Sequence, residues 1–198
     1  MERPDLTDDL IHIIRGYGLS DAYQKLLDII RTRTILGSNR CIRGGYTCVC
    51  FSEAPIDCFK VHFREPGINQ NHFQPFGITV PKRWLFDLGG RPVIYSPDSE
   101  YDGLPESYRW RHVRFEPTST PKVDFTWERE WRIKSNELRI SENNAKIFLP
   151  TVEYARHLFH WYERDQDSMV QMYSTVMYEF TAMLYRQDFK WQIEIIGF

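Results

Sequence analysis

The sequence predicts an α+β fold, in which a compact strand-rich body has helices on its outside. Short segments with two-residue alternation of apolar and polar side chains recur through residues 1–150, which indicates strands. Helical spacing of apolar side chains dominates residues 151–198, where we also expect a final strand. No repeat or low-complexity linker separates these parts, so residues 1–198 are expected to form a single domain with a buried core.

The first third of the chain predicts two strands, each followed by a helix. The segment "LIHIIR" (10–15) is largely apolar and ends at a glycine, as a buried strand does. Ser20 is the expected N-cap of a helix that runs to about Arg33. A second strand, "YTCVCFS" (46–52), precedes the second helix. The residues expected to face the core from the two helices are Ala22, Leu26, Leu27, Ile30, Ile56, Phe59 and Phe63.

The middle of the chain reads as short strands separated by loops. The segment "EPGINQNHFQPF" (65–76) is polar and contains two prolines, which predicts a loop. Pro81 fits the first turn of a short helix that ends at two glycines. The expected strands are 77–80, 91–96, 109–116, 124–134 and 146–149.

The last third predicts helices over residues 151–163 and 165–187 and a strand over 191–196. An apolar stripe follows the second helix, formed by Met169, Met172, Tyr173, Val176, Phe180, Met183 and Leu184. Such a stripe usually faces a core or a seam between two copies of the chain, rather than lining a ligand groove. A homodimer through this helix is therefore one of the expected partners.

Composition disfavours several classes of protein. The net charge is −2, so no overall basic field indicates binding to nucleic acid or membrane. Residues 1–19 carry several charges and no long apolar run, which predicts a cytoplasmic protein without a signal peptide or membrane span. The cysteines are then expected to be reduced. A zinc site is disfavoured by C-x-C spacing, and its ligands would be Cys48, Cys50, Cys58 and His62.

The densest charge lies in "DFTWEREWRIK" (124–134). As a single strand, this segment would place Glu128 and Glu130 on one polar face. Two carboxylates about 7 Å apart on a strand face can have separate roles in catalysis. One can stabilise positive charge on a sugar while the other activates an acceptor. The alternative is an exposed ladder of weak ion pairs with Arg132.

Three residues of the first two predicted strands are candidates for ligand binding. His12 lies in an apolar strand and is either a hydrogen-bond donor to a ribose or phosphate or a satisfied core histidine. Ser52 ends its strand, where it can bind a ligand or cap the next helix. With two-residue alternation, Tyr46 lies on the same face of this strand as Ser52. The motifs of P-loop enzymes, Rossmann oxidoreductases, zincins and α/β-hydrolases do not occur, which disfavours those classes.

A histidine strand, a strand that ends in serine and a later E-x-E strand follow one another in the chain. This order resembles the three motifs of the ADP-ribosyltransferase fold, a compact mixed body in which two small sheets hold NAD in a cleft. The resemblance implies NAD as the substrate and assigns catalysis to Glu130, with Glu128 orienting the acceptor. The residues that it assigns to NAD binding are His12, Arg15, Ser52, Tyr46 and Arg132.

Longer strings carry a second resemblance. The segments "CVCFSEAP", "QPFGITVPKRW", "GGRPVIY", "WRHVRFEP" and "DFTWEREWRI" resemble the AbiGi-type abortive-infection family, over about residues 5–140. The uncharacterised DUF2971-type proteins have a similar E-x-E-W-R ending. The resemblance implies a bacterial phage-defence protein, either a toxin-type ADP-ribosyltransferase with a protein or nucleic-acid acceptor or an antitoxin. A cognate toxin or antitoxin would be its partner.

Two other functions stay open. A non-catalytic module would bind nucleic acid through an arginine patch of Arg109, Arg111, Arg114, Arg129 and Arg132. A metal-independent RNase would use His12 with an arginine, although no second histidine lies near it in the sequence. Simple NAD hydrolysis, with water as the acceptor, is a variant of the first function.

Overall fold

The computed structural model describes residues 7–64 and 72–197. Its strands are β1 (Asp9–Arg15), β2 (Thr34–Leu36), β3 (Cys48–Ser52), β4 (Phe73–Pro81), β5 (Arg91–Pro92), β6 (Ile94–Ser96), β7 (His112–Arg114), β8 (Glu130–Lys134), β9 (Glu137–Arg139), β10 (Lys146–Leu149) and β11 (Gln192–Ile195). Its α-helices are α1 (Leu19–Thr32), α2 (Ile56–Arg64), α3 (Lys82–Asp87), α4 (Glu106–Arg109), α5 (Val152–Tyr173) and α6 (Glu179–Met183). Short 3-10 helices cover Asp98–Gly103 and Thr126–Glu128.

Seven strands form one mixed sheet in the order β11-β10-β4-β1-β3-β8-β5, and two-stranded sheets pair β2 with β9 and β6 with β7. The α+β prediction is confirmed. The implied pair of small sheets is not what the chain forms. Strand β4 was expected over 77–80 but spans nine residues and pairs with both β1 and β10, so one sheet continues across it.

The weakest junction in this sheet lies between β1 and β3. Within the described chain, these strands pair at one position, Ile11 with Ser52, whereas β3 pairs with β8 at five. Beyond that pair, the His12 side chain makes the contact between the two strands, since its Nδ1 lies 2.8 Å from the carbonyl oxygen of Cys50. The sheet therefore has two halves, β11-β10-β4-β1 and β3-β8-β5, that meet at a narrow join.

Apolar side chains cover both faces of the sheet. On one face, α1 and α5 contribute Leu26 and Leu158 to a large core that also contains Phe76 of β4. On the other face, Phe59 of α2 packs with Phe73 at the start of β4. All four residues expected to be buried in α1 are buried. No helix of the described chain combines the length and apolarity that crossing a bilayer requires.

Helix boundaries differ from the predictions where other groups act as caps or no breaker is present. Ser20 is not an N-cap, because α1 begins at Leu19 and the carboxylate of Asp21 accepts a hydrogen bond from the Tyr17 amide at 3.0 Å. The predicted helices 151–163 and 165–187 are instead one helix, α5, and the short α6. No glycine or proline stops the helix near residue 164.

The ends of the strands are set by pairing with neighbouring strands more than by the alternation of apolar and polar residues. The predicted strand 91–96 divides because β5 pairs with β8 whereas β6 pairs with β7. The predicted strand 109–116 shortens to β7, since α4 precedes it. Most of the predicted loop 65–76 lies outside the described residues, and its last part belongs to β4. The strands expected at 10–15, 46–52, 146–149 and 191–196 are confirmed within two residues.

The apolar stripe of the last third is largely solvent-exposed. Its members Met172, Val176, Phe180, Met183 and Leu184 are 56–79% exposed. Of the two predicted roles for this stripe, the core is therefore wrong, and the seam between copies stays a prediction. The chain turns after α5, and α6 is buried only at Ala182.

Gly77 is required where β4 passes between its neighbours. An alanine Cβ there would run into the backbone oxygen of His12 and the ring of Phe148. We expect Gly77→Ala to lower the free energy of unfolding by about 2 kcal/mol or more, because neither neighbour has room to move. Gly103→Ala is the control, since nothing lies within 4 Å of its Cβ position. Chemical denaturation checks this, and equal stability of the two variants would contradict it.

Candidate functional site

A cavity of about 1180 Å³ lies where β1 and β3 separate. Residues 11–15 of β1 and all of β3 line it, together with side chains from α1, β7 and β8. Its volume suits a ligand of drug size or larger. The predicted site residues on its wall are His12, Arg15, Ser52, Glu128, Glu130 and Arg132.

The segment 124–134 is not a single strand. Glu128 ends a 3-10 turn, Arg129 has a left-handed backbone with φ 44°, and only then does β8 begin at Glu130. Glu128 and Glu130 therefore do not share a strand face, and that part of the alternation prediction is wrong. The predicted alternation is confirmed inside β8, where Trp131 and Ile133 pack in the core.

Ser52 holds this turn in place. Its hydroxyl donates to the carbonyl oxygen of Glu128 at 2.5 Å and accepts from the amide of Ala54 at 2.9 Å. The amide of Glu53 also donates to the carbonyl oxygen of Arg129, at 3.1 Å. Ser52 thus braces the main chain of Glu128 rather than the side chain of Glu130. A side-chain hydrogen bond across 76 residues fixes the turn, which explains why local alternation missed it.

Glu130 is held by a buried arginine. Arg132 Nε lies 2.8 Å from Oε1 of Glu130, and a second guanidinium nitrogen lies 3.2 Å from Oε2. The remaining donors of Arg132 reach the carbonyl oxygens of Trp110 and His112 at 3.0 and 2.9 Å. The Arg132 side chain is 4% exposed. This pair is therefore not the exposed ladder considered above, and Arg132 positions Glu130.

Glu128 lies in a different electrostatic environment. It is 9% exposed, and burial together with the negative charge of Glu130 raises its pKa to about 7. The positive charges of Arg15 and Arg132 act in the opposite direction. Two carboxylates with different environments can take different protonation states at neutral pH. Glu128 is thus suited to proton transfer, whereas Glu130 is suited to carry negative charge.

His12 is neutral and has a defined tautomer. Burial lowers its pKa, and Arg15 lowers it further, against the effect of the hydrogen bond to Cys50. Because the carbonyl oxygen of Cys50 can only accept, Nδ1 carries the proton and Nε2 is left as an acceptor. Arg15 is exposed and its guanidinium lies 5.1 Å from the centre of the Phe73 ring.

Two residues around Glu130 were not predicted from the sequence to belong to this site. The hydroxyl of Tyr95 accepts from the Glu130 amide at 3.0 Å and donates to the carbonyl oxygen of Phe125 at 3.2 Å. Burial raises the pKa of Tyr95 to about 12, so this hydroxyl keeps its proton. Burial and the charge of Glu130 also raise the pKa of the Cys50 thiol. Sequence spacing connects neither residue to Glu130, whereas the β3–β8 register places Cys50 opposite Arg132.

Other predicted residues do not converge on the cavity. Tyr46 is not among the residues of its described wall and packs with Ile42, Cys48 and Trp110. In the part of the chain that the structure describes, no three His, Cys, Asp or Glu side chains group as metal ligands would.

Several arginines of the predicted patch have partners within the chain. Arg109 donates to the carbonyl oxygens of Leu104 and Asp102, and Arg111 donates to that of Pro92. The other members of the patch include Arg114, which pairs with Glu116, and the buried Arg132. Because Arg132 is buried, the five arginines do not all lie on one exposed face.

Comparison with known proteins yields no match among family models, curated proteins or solved structures. The two resemblances therefore stay predictions.

The pKa of Glu128 makes stability depend on pH. Since the folded chain holds this proton up to about pH 7 and the ordinary value is 4.5, the folded state binds more protons between these values. We expect Glu128 to lower the free energy of unfolding by about 3 kcal/mol as the pH rises through this window. Glu128→Gln should remove that slope in urea denaturation, whereas the exposed Glu194→Gln should retain it. An unchanged slope in Glu128→Gln would contradict the assignment.

The buried ion pair should also be costly to break. Arg132→Met leaves the Glu130 carboxylate without its cation and two carbonyl oxygens without donors. We expect the free energy of unfolding to fall by about 3–5 kcal/mol. Arg139→Met breaks an ion pair whose arginine is 85% exposed, so it should cost less than about 1 kcal/mol. Thermal melting of both variants measures this, and a similar small loss in both would be inconsistent with a structural pair.

Proposed function

We propose that this chain cleaves the nicotinamide–ribose bond of NAD and transfers ADP-ribose to a macromolecular acceptor. The observation that carries the proposal is the placement of the three motif strands. Strands β1, β3 and β8 are neighbours in the sheet, and they present His12, Ser52 and Glu130 around one cavity. Such an activity is the chemistry expected of a toxin-type component in bacterial phage defence.

In the proposed reaction, the two glutamates have separate roles. The bond between nicotinamide and ribose breaks, and its electron pair leaves with nicotinamide. Glu130, positioned by its pair with Arg132, stabilises the positive charge that develops on the ribose. Glu128, with its pKa of about 7, accepts the proton of the acceptor hydroxyl or amine as the new bond to ribose forms.

Binding of NAD would use both polar and cationic groups of the cavity wall. Nε2 of His12 is an acceptor suited to a ribose hydroxyl. Arg15 and Arg40 are exposed on the same wall, and neither forms an ion pair within the described residues. Guanidinium groups in that state suit the diphosphate of a dinucleotide. Tyr46 has no place in this arrangement.

The activity can be tested by nicotinamide release from NAD, with bacterial lysate as the source of acceptors. Glu128→Gln and Glu130→Gln should each lower the rate at least about a hundredfold, because each removes a charge or proton acceptor from the transition state. For the native protein, the rate should rise with pH through a midpoint near 7, where Glu128 ionises. Glu194→Gln, on the distant edge strand β11, should retain the native rate.

Folding must be checked beside activity. Glu130→Gln weakens the pair with the buried Arg132, whereas Glu128→Gln replaces a carboxyl that is about half protonated at pH 7 by a group of nearly equal shape. Glu128→Gln is therefore the variant that separates chemistry from stability. Full release by folded Glu128→Gln and Glu130→Gln proteins would refute the proposal. Absence of release from the native protein, with salt-sensitive retention of nucleic acid, would instead support the non-catalytic alternative.

A further inference from the structure

An apolar surface covers the end of α5, the following turn and α6. We define this C-terminal apolar surface by its large side chains, which are 52–88% exposed: Met172, Val176, Tyr178, Phe180, Met183, Leu184 and Tyr185. Monomeric proteins rarely expose continuous apolar patches of more than a few hundred Å². These residues are nearly consecutive in the chain, so they form one patch rather than scattered side chains.

The surface is fixed to the body of the protein. Ala182 is fully buried, and the rings of Tyr173 and Tyr185 meet edge to face at 5.3 Å. Arg186 pairs with both Glu163 and Asp167 on α5. The amide of Gln187 donates to the side chain of Gln166 at 2.9 Å. These contacts hold the end of α6 and the residues that follow it against α5, while the apolar side chains of the surface stay exposed.

The exposed area matches what a stable dimer buries. From typical side-chain areas, the seven residues expose on the order of 700 Å². A standard interface buries about 800 Å² on each partner. Two methionines, two tyrosines and a phenylalanine are residue types enriched in interface cores, and homodimer interfaces are more apolar than transient ones.

Charge also favours a second copy of the chain as the occupant. Across residues 172–186 the charged side chains are Glu179 and Arg186, and Arg186 is already paired within its own chain. An almost uncharged surface can face its own copy across a two-fold axis without strong repulsion. It offers little to attract a strongly charged partner.

We propose that the C-terminal apolar surface is the interface of a homodimer. This proposal is independent of the reaction proposed for the cavity, since none of the seven residues lines the cavity.

The experiment is light scattering during gel filtration of the full chain, over a hundredfold range of concentration. The native chain should have twice its mass of 23.7 kDa. Phe180→Glu and Val176→Glu should dissociate the dimer, with the dissociation constant raised at least about a hundredfold, since each change occurs twice in the interface. Both side chains are more than three-quarters exposed in the single chain, so circular dichroism should be unchanged.

Leu88→Glu is the matched control, because Leu88 is 51% exposed and lies outside this surface. It should remain dimeric. A native chain that is monomeric at every concentration would overturn the proposal, whether or not it binds lipid vesicles or another protein. A dimer that persists in Phe180→Glu and Val176→Glu would overturn it as well, because the interface would then lie elsewhere.

Discussion

The single residue pair between β1 and β3 is the constraint on which the site depends. If these strands paired along their full length, the sheet would close and no cavity would exist between its halves. His12 keeps the two strands apart, because its imidazole donates to the Cys50 carbonyl oxygen, which in a paired strand would accept from a main-chain amide. That hydrogen bond satisfies a main-chain group and also leaves the second ring nitrogen as an acceptor. A residue that resembles a core histidine in the sequence thus serves both the fold and the cavity.

The electrostatics of the cavity follow from the same arrangement. Strand β8 lies against β3, and the buried Arg132 pairs with Glu130 while it donates to the carbonyl oxygens of Trp110 and His112. The turn that precedes β8 withdraws Glu128 from solvent, which raises its pKa. One carboxylate therefore has a permanent counter-ion, while the other can exchange a proton near neutral pH. The division of roles proposed for the two glutamates depends on this difference in environment, not on their spacing along a strand.

The sequence predicted those features that local pattern controls. The apolar runs at β1, β3 and β10 and the buried stripe of α1 were found because burial on one or two faces leaves a period in the sequence. The turn at Glu128 was missed because a serine 76 residues earlier fixes it. The narrow join beside His12 was missed because pairing between distant strands has no local signature. The sequence could not decide whether Phe180 is buried or exposed, because the same helical spacing describes a core face and an interface between copies.

The central claim is that the cavity between β1 and β3 binds NAD. Calorimetric titration of NAD into Glu128→Gln protein tests it directly, since turnover should be slow in that variant. We expect one site per chain, with binding weakened when the exposed Arg15 is changed to glutamine and unaffected by Arg139→Gln. The absence of binding, or binding of equal strength in the Arg15 variant, would contradict it.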